Sequence, residues 1–420
     1  MTTRRRFLAT SAATLAAPMF VRALGTNDKL NLAGVAHENI VALCDIDGDR
    51  LGAAKAKHPG ATGFADYREM FDKASSKFDA VVVSTPDHSH ALPACLAMSL
   101  GKHVYCEKPL AHSVNEVRLM RTLAAKKKLV TQMGTQIHAE NNYRRVVEIV
   151  QAGLLGPISR VHVWNSSKPV GGKKTGGKPT AAFDTDLWCG PAPVKFFEAL
   201  MNPSPWKQAW PHFHWRWWWE FGGGTLADLG CHYIDLPFWA LGLTAPTSVQ
   251  SYGRKTYIGD NDVPDVMQVD YSFSRPGNQP ALRLTWYHGV SGPGLDGKET
   301  YKGYGSGVMF VGTKGKLIAD YGKYTILPEE FAKDFKPPEK SIPASIGHHK
   351  EWTEAVKSNG KTTCNFDYSG GLTEAVLLGN VALKAAEEIA WFPDKCKTHA
   401  AYADQFLGRE YRKGWELPKG

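Results

Sequence analysis

Between Ile40 and Met133 the chain alternates short β-branched runs with helical stretches. Few folds accept that order. Ile40–Cys44 (IVALC) stops at Asp45, and Phe78–Ser84 (FDAVVVS) stops at Thr85-Pro86-Asp87-His88-Ser89-His90. His103–Cys106 stops at Glu107-Lys108-Pro109, and Leu129–Met133 closes the series. Helical stretches lie between them at Asp49–His58, Tyr67–Ala74, Ala91–Leu100 and Val114–Lys127. A run as continuously apolar as AVVV must be covered on both faces, as parallel strands are between two helix layers. The alternation therefore predicts an α/β, doubly wound parallel sheet with its ligand at the carboxyl ends of the strands. At 420 residues the chain is long for one core and suits two domains, divided near Ala139.

A second stretch, Gly222–Asp235 (GGGTLADLGCHYID), carries Asp228 and His232 four residues apart. On a helix that spacing puts both side chains on one face, one turn apart. A carboxylate beside an imidazole suits a general base near neutral pH. The same spacing also fits a helix start with two satisfied polar residues.

Taken together, EKP after one strand, TPxxxH after the preceding one and GGG…DxxxH further on resemble the Gfo/Idh/MocA oxidoreductases. That family includes inositol dehydrogenase and glucose–fructose oxidoreductase. The likeness extends to QMGTQ at Gln132–Gln136, RRVVEIVQAGLLGPI from Arg144 and GVMFVGTKGKL from Gly307. It implies a Rossmann-like nucleotide-binding domain over residues 26–138 and a substrate and oligomerisation domain over 139–420. It also implies roles. Lys108 lies beside the nicotinamide and the reacting hydroxyl, and His232 is the base. Asp228 contacts the substrate or orients the histidine. Thr85, Pro86 and His90 border the nucleotide, Glu107 faces the nicotinamide ribose, and Gln136 lies on the substrate side. Asp45 bonds the adenosine ribose diol. An acid there disfavours a 2′-phosphate, so NAD is expected over NADP.

One departure from the family stands out. Before the Asp45 strand the family has a strand, a glycine-rich turn and a helix, but this chain has only KLNLAGVAHEN from Lys29. A βαβ unit needs about thirty residues or more. The first βα unit is truncated, by on the order of a dozen residues, and the backbone N–H cradle for a pyrophosphate goes with it. The one G-x-G-x-x-G, at Gly292–Gly297, carries a proline after its first glycine and reads as a loop. Nucleotide binding is expected to be weakened severely.

Residues 1–25 read as a targeting segment. The twin arginine and Phe7-Leu8, followed by an Ala/Thr/Leu stretch to Val21, resemble a bacterial Tat signal with cleavage near Ala23. The expected location is periplasmic, with no membrane span after signal removal.

The second half opens with the strand Ile158–Ser166 and a Gly/Lys loop, Val170–Pro179. An aromatic cluster then runs from Trp206 to Phe221. Trp210, His212, His214, Arg216 and Trp217 either form a carbohydrate-facing wall or pack a core or subunit interface; both readings fit. Alternating runs at Thr247–Tyr252, Val266–Phe273, Ala281–His288, Gly307–Val311 and Lys316–Asp320 predict a large, mostly antiparallel open sheet. In the family such a sheet makes the subunit contact, which implies a homo-oligomer. Helices are expected at His349–Ser358 and Leu372–Ile389.

Net charge is +9, but the basic residues are spread without a basic-aromatic motif, which argues against nucleic acid as a partner. Seven cysteines without C-x-x-C argue against a disulfide scaffold and a structural zinc site. The pairs His212/His214 and His348/His349 lack a third ligand at a sensible spacing, so no metal is expected. The leading expectation is hydride transfer between a nicotinamide cofactor and a hydroxyl-bearing carbon of a sugar, cyclitol or derivative. Two alternatives stand beside it: an NAD-dependent glycosidase or lyase using transient oxidation, and an exported carbohydrate-binding protein that lost its cofactor site.

Overall fold

The computed structural model describes residues 19–21, 38–166, 182–194, 214–277, 279–289 and 303–418. Of residues 19–21 and 214 only the backbone is described. Two sheets organise the chain.

The first sheet has six strands in the order β3-β2-β1-β4-β5-β6. They are β1 Met19–Val21, β2 Ala42–Cys44, β3 Thr62–Phe64, β4 Ala80–Val83, β5 His103–Cys106 and β6 Thr131–Met133. Pairs β2·β3, β4·β5 and β5·β6 are parallel. Four helices connect them: α1 Gly48–Lys57, α2 Tyr67–Ala74, α3 Ala91–Ser99 and α4 Val114–Lys126. Their starts are fixed by caps written in the sequence. Asp47 accepts from the N–H of Asp49 (3.0 Å) and of Arg50 (3.3 Å) at α1. Ser113 and Glu116 form a reciprocal capping box at α4. The central β4 is buried at all four positions, as its unbroken apolar run requires.

The position between β2 and β4 is taken by β1, which lies within the stretch read as a leader. It runs antiparallel to both neighbours, with Met19 opposite Cys44 and Phe20 opposite Val82. The strand order is that of a dinucleotide fold, but the central strand is reversed.

The second sheet has nine strands in the order β13-β12-β11-β7-β10-β9-β8-β14-β15. They are β7 Ile158–Asn165, β8 Ser248–Arg254, β9 Val266–Phe273, β10 Leu282–His288, β11 Gly307–Gly312, β12 Lys316–Ala319, β13 Tyr324–Leu327, β14 Ile389–Phe392 and β15 Lys397–Thr398. All pairs are antiparallel except β7·β10. The helices of this half are α5 Asn141–Gln151, α6 Thr185–Cys189, α7 Gly224–Tyr233, α8 Asp235–Leu241, α9 Glu329–Lys333, α10 His348–Ser358, α11 Phe366–Ala385 and α12 Ala401–Asp404. None of the helices among the described residues is long and apolar enough to cross a membrane.

Two of these helices join the halves. Helix α10 drives Trp352 and Ala355 into the core beneath Leu43, Ala80, Val82 and Tyr105 of the first sheet. Helix α11 is buried along most of its length and packs against α4, α7 and β8. It begins at Phe366, six residues before the expected Leu372, because Asn365 caps it by accepting from the N–H of Asp367 and Tyr368. Ile389, expected at the end of that helix, instead begins β14.

Candidate active site

Lys108 leaves β5 at the carboxyl edge of the first sheet, and α7 brings Asp228 to meet it across the two halves. Lys108 Nζ donates to the Asp228 carboxylate (2.6 Å) and to the Asp228 carbonyl (2.6 Å). Arg216, from the turn His214–Trp217, donates through Nε to the same carboxylate oxygen (3.0 Å). Burial alone would raise the Asp228 carboxyl, but the charges and hydrogen bonds of Lys108 and Arg216 override it and hold it far below the usual carboxylate range. That approach is tight. A Cβ on Gly222 would lie 2.6 Å from the Arg216 Cα, so only glycine fits there.

His232 lies one turn further along α7. Its Nδ1 is buried without a partner, and its carbonyl accepts from the Tyr143 hydroxyl (3.0 Å). Burial, helped by the Lys108 charge and opposed by Asp228, lowers the ring to about 3. It is neutral at pH 7, the form that can accept a proton. Among the described residues Asp228 makes no hydrogen bond to His232; its carboxylate goes to Lys108 and Arg216 instead.

The cleft beside this pair runs along the carboxyl edge of the sheet. Asp45, Thr85, Pro86, His90, Glu107, Lys108 and Arg216 all line it. Glu107 accepts from Gln136 Nε2 (3.2 Å), which brings that residue to the same end. Burial raises the Glu107 carboxyl to about 7 against the pull of Lys108. Burial also raises Asp45 to about 6, against the N–H of Asp47 and the charge of Arg50. His90 acts as a latch: its two ring nitrogens sit 2.7 Å from the carbonyls of Pro109 and Thr85. Thr85 Oγ1 is buried without a partner.

The aromatic cluster divides. Trp215 and Arg216 line the cleft, with the guanidinium 4.2 Å from the indole centroid. Trp218 and Phe221 pack with Phe183 and Trp188 in a satellite core. Trp217 is buried and does not line the cleft. Trp210, His212 and the His214 side chain lie outside the described residues.

Several residues enter the site without a sequence signal strong enough to single them out. Asp87 stands inside the TPDHSH stretch and lines the cleft; burial raises it to about 8 against the charges of Lys108 and Arg216. Arg50, Tyr67, Trp188 and Trp415 also line the cleft. One set of potential metal ligands occurs among the described residues, His138, Asp235 and Cys364. Its carboxylate is already bonded to His138 Nδ1 (2.9 Å) and the Tyr368 hydroxyl (2.7 Å), as a satisfied core cluster would be.

A dinucleotide laid along this edge would meet Asp45 at one end and Glu107 and Lys108 at the other, with the orphaned Thr85 hydroxyl between. Those residues fit it. The described residues supply no glycine-rich turn for its phosphates, and β1, the strand in the central position, runs antiparallel to both neighbours.

Comparisons with known proteins identify the family and agree with the fold. Residues 16–135 match the oxidoreductase family with an NAD-binding Rossmann fold, and residues 200–318 match the GFO/IDH/MocA C-terminal domain. An uncharacterized oxidoreductase, YrbE of Bacillus subtilis, is 21% identical over 371 residues, covering 86% of this chain and 90% of that protein. Inositol 2-dehydrogenase 3 of Saccharopolyspora erythraea is 35% identical over 124 residues, covering 29% of this chain and 36% of the relative. Among solved structures, the WlbA dehydrogenase of Bordetella pertussis, in complex with NADH and UDP-GlcNAcA, aligns with a TM-score of 0.57 at 18% identity. That alignment covers 84% of this chain and 90% of the other. A levoglucosan dehydrogenase in complex with NADH and levoglucosan aligns with a TM-score of 0.52 at 16% identity, over 83% and 89%. Both matched domains occur in the expected order and together span more than half the chain, which therefore belongs to the Gfo/Idh/MocA oxidoreductases.

Proposed function

We propose that the protein transfers a hydride between NAD and a hydroxyl-bearing carbon of a sugar, cyclitol or derivative. The observation that carries this reading is the Lys108–Asp228 contact beside a neutral His232, at the Glu107 end of the cleft. NAD, when bound, supplies the hydride acceptor or donor. The protein's residues handle the proton. In the oxidation direction the neutral His232 imidazole takes the hydroxyl proton as the carbonyl forms, and in reduction it returns it. Lys108, fixed by the Oδ1 and the backbone carbonyl of Asp228, donates a hydrogen bond to the reacting oxygen and stabilises the charge that develops there. Asp45 bonds the adenosine ribose diol; its carboxylate favours NAD over NADP.

The N-terminal segment is proposed to direct export to the periplasm, and the open face of the nine-stranded sheet to make a homo-oligomer. Support comes from the twin arginine and from the wide, mostly antiparallel sheet.

A fluorescence titration of the purified protein with NADH and NADPH, followed by a turnover screen over sugars and cyclitols, tests the central reading. Saturable binding that favours NADH, with NAD-linked turnover lost on Lys108→Met, is expected. No binding at millimolar nucleotide would overturn it and leave a carbohydrate-binding protein.

A further inference from the structure

The chain beyond Leu407 returns to the first sheet and closes one wall of the nucleotide cleft. It is tied down at two anchor points before it reaches the cleft. Arg409 Nε and the Tyr411 hydroxyl both donate to Glu116 Oε1, at 2.9 and 2.7 Å. Glu116 is fully buried, and its other oxygen accepts from the N–H groups of His112 and Ser113 (3.0 Å each) at the start of α4. One carboxylate therefore caps a helix of the nucleotide-binding half and holds the tail. Arg412 Nε donates to the carbonyl of Gly190 (2.6 Å), and its guanidinium pairs with Asp186 (2.6 Å).

Beyond these anchors Trp415 is set into place. The Arg68 guanidinium lies 4.1 Å from its ring centroid and that of Arg412 5.5 Å, with the Tyr67 ring 6.4 Å away. The indole is only 7% exposed, and it lines the same cleft as Asp45, Asp66 and Tyr67. This is the end of the cleft opposite Lys108. An indole held this firmly at a cleft wall is a surface for a planar, weakly polar group.

We infer that Trp415 is a cofactor-binding residue: the C-terminal tail walls in the adenosine half of the dinucleotide, which leaves only when the tail lifts. The inference rests on the function proposed above. In that arrangement the tail adds affinity at the adenosine end, a different part of the dinucleotide from the phosphates that a glycine-rich turn would hold.

Competition experiments against NADH fluorescence separate the two halves of the ligand, with AMP and nicotinamide mononucleotide as probes. Trp415→Ala is expected to weaken NADH and AMP by about tenfold each, the effect of roughly 1.4 kcal/mol. Nicotinamide mononucleotide affinity should stay within twofold. A second variant, Arg409→Gln, leaves the cleft lining intact and loosens the anchor; it should speed NADH dissociation in stopped flow. Unchanged AMP and NADH affinities in Trp415→Ala, beside a wild type that binds both, would overturn the inference alone. A wild type that binds neither would overturn it together with the proposed function.

Discussion

Replacing Asp228 by asparagine removes one negative charge from between two buried cations, and the structure sets the size of the effect. The carboxylate lies 2.6 Å from Lys108 Nζ and 3.0 Å from Arg216 Nε. At an effective dielectric of about 20 each contact represents roughly 6 kcal/mol of gross attraction. Desolvation of the ions offsets several kcal/mol of that. The Lys108 and Arg216 side chains are 5% and 4% exposed, so water cannot replace the lost partner. Asp228→Asn should therefore cost about 3–5 kcal/mol, the usual range for stranding a buried charge. Lys108→Met should cost less, because Arg216 still neutralises the carboxylate. The double variant should then be more stable than Asp228→Asn alone by about 1–2 kcal/mol, because the stranded ammonium is gone and the losses of touching residues do not add. Guanidinium unfolding at pH 7, followed by tryptophan fluorescence, reads all three. A double variant as unstable as the two losses added together, or an Asp228→Asn loss under about 1 kcal/mol, would refute the reasoning.

Three further outcomes follow from the same geometry. His232→Asn should lower turnover by about 10²–10⁴ with little change in NADH affinity, measured by steady-state kinetics and titration. Glu107 favours its protonated form in the fold, rising from 4.5 to about 7; its contribution is full below pH 4.5 and is lost as pH rises through about 7. Glu107→Gln should accordingly match the wild type at pH 4.5 and exceed it by about 2 kcal/mol at pH 8, a figure discounted for partial exposure; equal stability at both pH values would contradict this. Gly222→Ala should cost about 1–3 kcal/mol in thermal unfolding, because its new methyl meets the Arg216 backbone, which cannot rotate away.

Local features of the chain were legible from its residues. The strand His103–Cys106 and the helix Tyr67–Ala74 sit where the pattern puts them, since a buried run and a capped amphipathic turn are decided within a few residues. The helical spacing of Asp228 and His232 is likewise local, and it holds in α7. Partners across the fold were not legible. Arg216 joins Asp228, and Trp415 joins Tyr67, through packing that no periodicity encodes. Strand β3 has three residues, one of them glycine, too short to alternate. Helix α11 starts at Phe366 on its Asn365 cap and carries Gly370 and Gly371 within it. A side chain on Gly370 would meet Arg121, with its Cβ 2.4 Å from Cδ, so the glycine there serves a close approach and not a turn.

The reversed strand β1 ties maturation to architecture. Its three residues stand before Ala23, so cleavage there, as the proposed export signal implies, would take the middle strand away. What remains would be a two-strand and a three-strand fragment facing each other across a gap about 9.5 Å wide, twice the strand spacing. Each would carry an unpaired ladder, the kind of edge that recruits other chains. After such trimming the described strands alone no longer form a continuous sheet. The mass of the folded protein's N-terminal peptide reports whether the cell has made that cut.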